Sequence, residues 1–193
     1  MRPQRISSTS VGIATIAGLW FCFALGTDSR AFASEVYTAT AEFESARTLG
    51  TNRVPFRLVI DSTTPVEEVP ALRDLLLQGG QDLLRSSMRT RANGRIQLGG
   101  FEFGVSLVLV TPLEGGARHV LVVAERPFRR TVEGEPADAQ FPFGILAFDV
   151  DSRGSGEGSI LPAAALSVDD KGKVQTTNQT GDPGRLLDVQ LQD

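Results

Sequence analysis

Apolar and polar residues alternate along much of this chain. From Arg53 to Asp61, Val54, Phe56, Leu58 and Ile60 share one parity while Arg53, Arg57 and Asp61 share the other. A period of two sends successive side chains to opposite faces of an extended backbone, so this segment predicts a half-buried strand. Tyr37, Ala39, Ala41 and Phe43 repeat the pattern, and Leu49-Gly50-Thr51-Asn52 between the two predicts a hairpin. Phe101, Phe103, Val105, Leu107 and Leu109 read as another inward row. Segments 120–124 and 145–150 are apolar on both parities, which predicts strands covered on both faces. Segments 156–168 and 173–177 flank Asp169-Asp170-Lys171-Gly172 and predict a second hairpin. Leu187, Val189 and Leu191 supply a last strand.

One stretch changes period. Thr64-Pro65-Val66-Glu67 offers an N-cap threonine, a proline at the first helical position and a capping-box glutamate. Leu72, Leu75, Leu76 and Leu83 then recur at helical spacing. Pro70 would fall inside the second turn of that helix, and Gly79-Gly80 weakens its middle. The expectation is a helical segment near 65–88, bent at the glycines, with its leucine face on a sheet. About eight strands and one helix give a mostly β (α+β) fold, an antiparallel β-sandwich or open barrel.

The N-terminus follows a different logic. Arg2 and Arg5 precede an apolar run from Val11 to Gly26, and Ala31-Phe32-Ala33 closes it with a small-x-small pattern. A charged start, apolar centre and small-residue exit predict a secretory signal over 1–33. The run of 16 residues is shorter than the roughly 20 a membrane-crossing helix needs. Leu19-Trp20-Phe21-Cys22 has a lipoprotein-like outline, but Phe21 is too bulky for the position before the cysteine. Residues 34–193 are then one domain, secreted or periplasmic, without a transmembrane anchor after processing. Its length of about 160 residues suffices for a self-supporting core. Cys22, the only cysteine, leaves with the signal, so that core is disulfide-free.

Charge narrows the partners. The chain has 19 basic and 23 acidic residues; removing Arg2, Arg5, Arg30 and Asp28 leaves 16 against 22. A net of −6 argues against a general nucleic-acid binder, which needs a dominant basic surface. Arg85, Arg89, Arg91 and Arg95 form one local basic run, and Arg126, Arg129 and Arg130 another. Cations at a helix end complement its dipole, and the alternative use is contact with an acidic surface.

Candidate chemistry is sparse. His119 is the only histidine, which leaves a zinc site without enough ligands. As a general base it would need an orienting acid and a serine on a strand-turn-helix elbow, and Ser155 lies between two strands instead. Asp149, Asp151, Gly154 and Glu157 outline a calcium loop, but Arg153 stands at a ligand position and Ile160 where the bidentate acid belongs. Glu102, Glu125 and Glu157 lie within or beside strands and could supply paired carboxylates for glycoside hydrolysis. Asn178-Gln179-Thr180 fits a glycosylation acceptor, relevant only in a eukaryotic secretory pathway. No set of residues is assigned as catalytic, metal-binding or cofactor-binding, and no cofactor is expected.

Several stretches resemble a family of exported bacterial proteins of uncharacterised function. The resemblance runs through Ile60–Glu68, Gly79–Leu84, Val122–Phe128, Phe141–Leu146, Gly154–Gly158 and Ala163–Ala165. Where such relatives carry Asp-Arg-Pro, this chain has Glu125-Arg126-Pro127. The resemblance implies one exported domain and brings no activity or site residues.

The functional expectation is therefore a non-catalytic binding or interaction module of the bacterial envelope, with an unidentified protein or small-ligand partner. A carboxylate-based hydrolase acting on envelope polymers is the alternative. Protein recovered from an expressing bacterium should have the intact mass of a chain beginning at Ser34. Material that still begins at Met1 and fractionates with membranes contradicts the export reading.

Overall fold

The computed structural model describes residues 33–45, 50–128, 140–179 and 182–192. The expected signal up to Phe32 lies outside these residues, as do Arg129, Arg130 and Thr180. Ten strands form one sheet: β1 (Glu35–Ser45), β2 (Gly50–Ile60), β3 (Gly94–Leu98), β4 (Phe101–Val105), β5 (Leu107–Pro112), β6 (Arg118–Ala124), β7 (Phe143–Val150), β8 (Ser155–Val168), β9 (Val174–Asn178) and β10 (Gly184–Gln192). Their order is β4-β3-β2-β1-β10-β8-β7-β6-β5, all antiparallel, with β9 pairing the far end of β8. Both expected hairpins form, β1–β2 and β8–β9, but Gly50, Thr51 and Asn52, expected in the first turn, are paired within β2.

The sheet rolls into a nearly closed barrel because β4 and β5, at opposite ends of that order, are consecutive in the chain. Residues 101–105 pair with β3, residues 107–112 pair with β6, and Ser106 joins them. Ser106 is 3% exposed and its N–H donates to the Val123 carbonyl at 3.1 Å. This partner switch reverses the parity of the row. Val105 and Val108 both join the barrel core, whereas Leu107 turns outward. The expected inward row therefore ends at Val105. A similar slip occurs in β10, where Asp188 adopts a left-handed φ of 54° and the pairing registers shift on both sides. Leu186 and Val189 are consequently the buried pair, with Leu187 only partly covered.

Two apolar clusters follow from this rolling. Inside the barrel lie Tyr37, Phe56, Leu58, Ile96, Val122, Leu146, Phe148, Ile160 and Leu186. Outside, α1 (Val69–Met88) lays Leu72, Leu76, Leu84 and Met88 over Leu107, Val123, Phe143, Ile145 and Leu161. β6 and β7 are thus covered on both faces along most of their apolar stretches, as those stretches predict, while Asp149 in β7 stays exposed. Phe141–Gly144 contributes to the same core, with Pro142 and Phe143 buried.

The helix start departs from the capping pattern. Pro65 precedes a 3₁₀ turn, Val66–Glu68, and no side chain caps it. Thr64 Oγ1 instead accepts hydrogen bonds from Val108 N–H and Asn93 Nδ2, each at 3.1 Å, which ties the excursion 61–93 to the sheet. Because α1 begins only at Val69, Pro70 sits in its first turn, where no helical acceptor awaits an N–H. The bend falls at Gly80, with φ 64° and ψ −159°. It resets the helical phase, so Leu84 and Met88 are buried while Leu83 is 39% exposed and folds over Gly79. Gln81 fixes the elbow, accepting from Leu166 N–H at 2.9 Å.

β8 can coil this tightly because its inward positions 156 and 158 lack a side chain. A Cβ at Gly158 would collide with the Ala147 carbonyl and Phe148, and one at Gly156 with the Asp149 carbonyl. Gly158→Ala should cost about 3 kcal/mol, the upper range for overpacking. In a domain of this size that lowers the melting temperature by roughly 10 °C. An unchanged melting temperature would show that the sheet is flatter here than described.

Candidate functional site

The two ends of the barrel differ. At one end, β1 and β6, which are not sheet neighbours, meet across the lumen through Glu35, Tyr37 and Arg118. Tyr37 donates to Glu35 Oε2 at 2.6 Å, while Arg118 donates to Glu35 Oε1 at 2.8 Å and to the Tyr37 oxygen at 2.9 Å. The Tyr37 ring is fully buried and stands edge-on to Phe148, with centroids 5.0 Å apart. Burial, then the bond to Glu35, pushes the Tyr37 phenol far above its ordinary pKa. Every polar atom of this phenol has a partner, and the cluster caps the apolar lumen.

At the other end the described residues leave the barrel open. A cavity of about 330 Å³ is lined by four phenylalanines, Phe43, Phe101, Phe103 and Phe128, together with Val54, Leu98 and Pro162. Among the described residues Asn52 supplies the one polar side chain of the lining, beside the backbone of Gly99. Strand ends explain this composition. Phe43 comes from the end of β1, Phe101 and Phe103 from the start of β4, and Phe128 follows β6, held by its N–H bond to the Pro162 carbonyl at 2.7 Å. Phe103 and Phe128 form an edge-to-face pair 5.6 Å apart, and Phe101 remains 53% exposed on the rim. The cavity lies at the barrel mouth; the helix packs on the outer wall.

The residues singled out in the sequence are dispersed. His119 and Asp149 face each other across β6 and β7 on the outer surface, with Nδ1 and Oδ1 2.6 Å apart. The histidine thus has its orienting acid. Ser155 Oγ, however, donates to Gln190 Oε1 and does not face the imidazole. Asp151 holds a turn: Oδ1 accepts from Ser155 and Arg153 N–H groups and Oδ2 from the Arg153 guanidinium. These bonds, that of Ser155 foremost, hold its carboxyl below the usual range. Among the described residues no group of three or more His, Cys, Asp or Glu is arranged to hold a metal.

The three glutamates do not share a cleft. Glu102 pairs with Gln97 on the outer side of β3–β4, Glu157 sits opposite Asp149, and Glu125 follows the other end of β6. Glu125 keeps Oε2 enclosed without a hydrogen-bond partner, with Oε1 3.7 Å from Arg126 Nε. The arginine run is also divided among internal partners: Arg85 donates to the Glu125 carbonyl, Arg91 pairs with Glu68 and Arg95 with Asp61. Asn178 donates its amide to the Asp182 carbonyl at 2.8 Å.

Glu35 and Arg118 lie outside every motif of the sequence. The available signal was Arg118 on the inward parity of Val120 and Val122, a lone charge on an apolar row. No family model, curated protein or solved structure matches the chain. Among the described residues no helix is long and apolar enough to cross a membrane.

Tyr37 is the only tyrosine, so its ionisation can be read directly. A raised pKa means that stability is complete below the unfolded value near 10 and declines as pH rises beyond it. Tyrosinate absorbance should stay absent in the folded protein through about pH 11 and appear near pH 10 in denaturant. Titration of the folded protein near 10 would contradict the lumen cluster. Tyr37→Phe should remove this alkaline loss of stability.

Proposed function

We propose that the protein is an exported, non-catalytic binding module that holds a small apolar ligand in the mouth of its barrel. The asymmetry of the two ends carries this reading. One end is capped by a fully bonded polar cluster, while the other presents an open recess lined by phenylalanines. Such a recess has the size and apolar character of small-molecule sites, which start near 300 Å³. Leaving Phe101 half in water costs free energy that a ligand would recover by covering it. The dispersal of Glu102, Glu125 and Glu157 favours binding over the carboxylate-hydrolase alternative. Export rests on the charged start, apolar centre and Ala31-Phe32-Ala33 exit of residues 1–33. The envelope, as periplasm or exterior, is the compartment that this signal implies.

A neutral phenylnaphthylamine, whose emission rises in apolar surroundings, tests the site. Wild-type protein should bind it at micromolar concentrations. Phe101→Glu, which places a charge on the rim without touching the core, should weaken binding at least tenfold and leave the melting temperature unchanged. Equal binding by the variant, or none by the wild type, would overturn the proposal.

A further inference from the structure

The depth and chemistry of the recess narrow its ligand to one class. We infer that the mouth selects a compact, uncharged aromatic molecule carrying a single hydrogen-bonding group, and that it rejects long alkyl chains; this rests on the ligand-binding reading above. Depth is the first argument. Below Val54 and Leu98 the lumen is filled by Phe56, Ile96, Leu58 and Phe148, and the far end is capped by the Tyr37 cluster. A close-packed lumen offers no tunnel into which a long chain could extend. A chain would fold back on itself or trail into water, whereas a ring system fits a shallow cup.

Charge is the second argument. Among the described residues the lining contains no ionisable side chain, so a charged group inside the cup would lose its hydration without finding a partner there. Asn52 offers both a donor and an acceptor at the edge, enough to orient one amine or hydroxyl. Shape is the third. Phe103 and Phe128 already stand edge-to-face, and the exposed ring of Phe101 leaves an aromatic surface beside them. Planar rings complete such arrangements through offset or edge contacts that saturated chains cannot make.

Three probes on the full protein separate these claims: the neutral phenylnaphthylamine, an anionic anilinonaphthalene sulfonate, and a neutral long-chain alcohol as competitor. The amine should bind at least tenfold more tightly than the sulfonate. The alcohol should fail to displace it at equal concentration. Asn52→Leu should lower affinity for the amine severalfold while leaving the fold intact. Tight binding of the alcohol, or equal affinity for amine and sulfonate, overturns the ligand class but leaves the site standing. Failure of all three probes to bind removes the site itself and the ligand-binding proposal with it.

Discussion

The partner switch at Ser106 is the constraint on which this structure depends. A sheet of this composition has an apolar inner face too wide to leave in water, and no second sheet covers it. Closure comes from one stretch of chain, 101–112, that pairs β3 with its first half and β6 with its second. The bend sends Val105 and Val108 inward together and leaves Leu107 outside for α1. One irregular residue therefore creates both apolar layers, the lumen and the helix-covered wall. The glycines of β8 let the opposite side of the barrel follow the same curvature.

Closure has a chemical consequence at each end. Rolling the sheet brings Glu35 and Tyr37 of β1 against Arg118 of β6, although four pairings separate those strands. A guanidinium, a carboxylate and a phenol satisfy one another there. A partly buried set of this kind fixes relative strand positions more than it adds net stability. Among the described residues the mouth has no such set. Phe43, Phe101, Phe103 and Phe128 come from different parts of the chain and meet there as a recess, with no further wall of the described residues packed against them.

Much of the architecture was legible because it is local. The β1–β2 hairpin, the β8–β9 hairpin, the two-faced runs of β6 and β7 and the bend at Gly79-Gly80 all follow from short-range pattern. What escaped the pattern is the set of single-residue phase changes. Ser106, Asp188 and Gly80 each change which residues face inward, and each does so at a single position inside an otherwise regular pattern. For that reason the alternation places Leu107 in the barrel row and Leu83 on the buried face of the helix, whereas Leu107 packs under α1, and Leu84, Met88 and Leu186 are buried. β3 was missed because five residues with two apolar positions, Ile96 and Leu98, give too short an alternation beside an arginine run. The mouth was illegible for a related reason. Its phenylalanines look identical to core residues until closure places them together at one end of the barrel.

A barrel capped at one end and open to an aromatic ligand at the other can be tested by intermolecular nuclear Overhauser contacts between a bound neutral naphthyl ligand and the protein. Contacts are expected to the rings of Phe43, Phe101, Phe103 and Phe128 and none to Tyr37. Contacts concentrated on Tyr37, or on the leucines of α1, would contradict it.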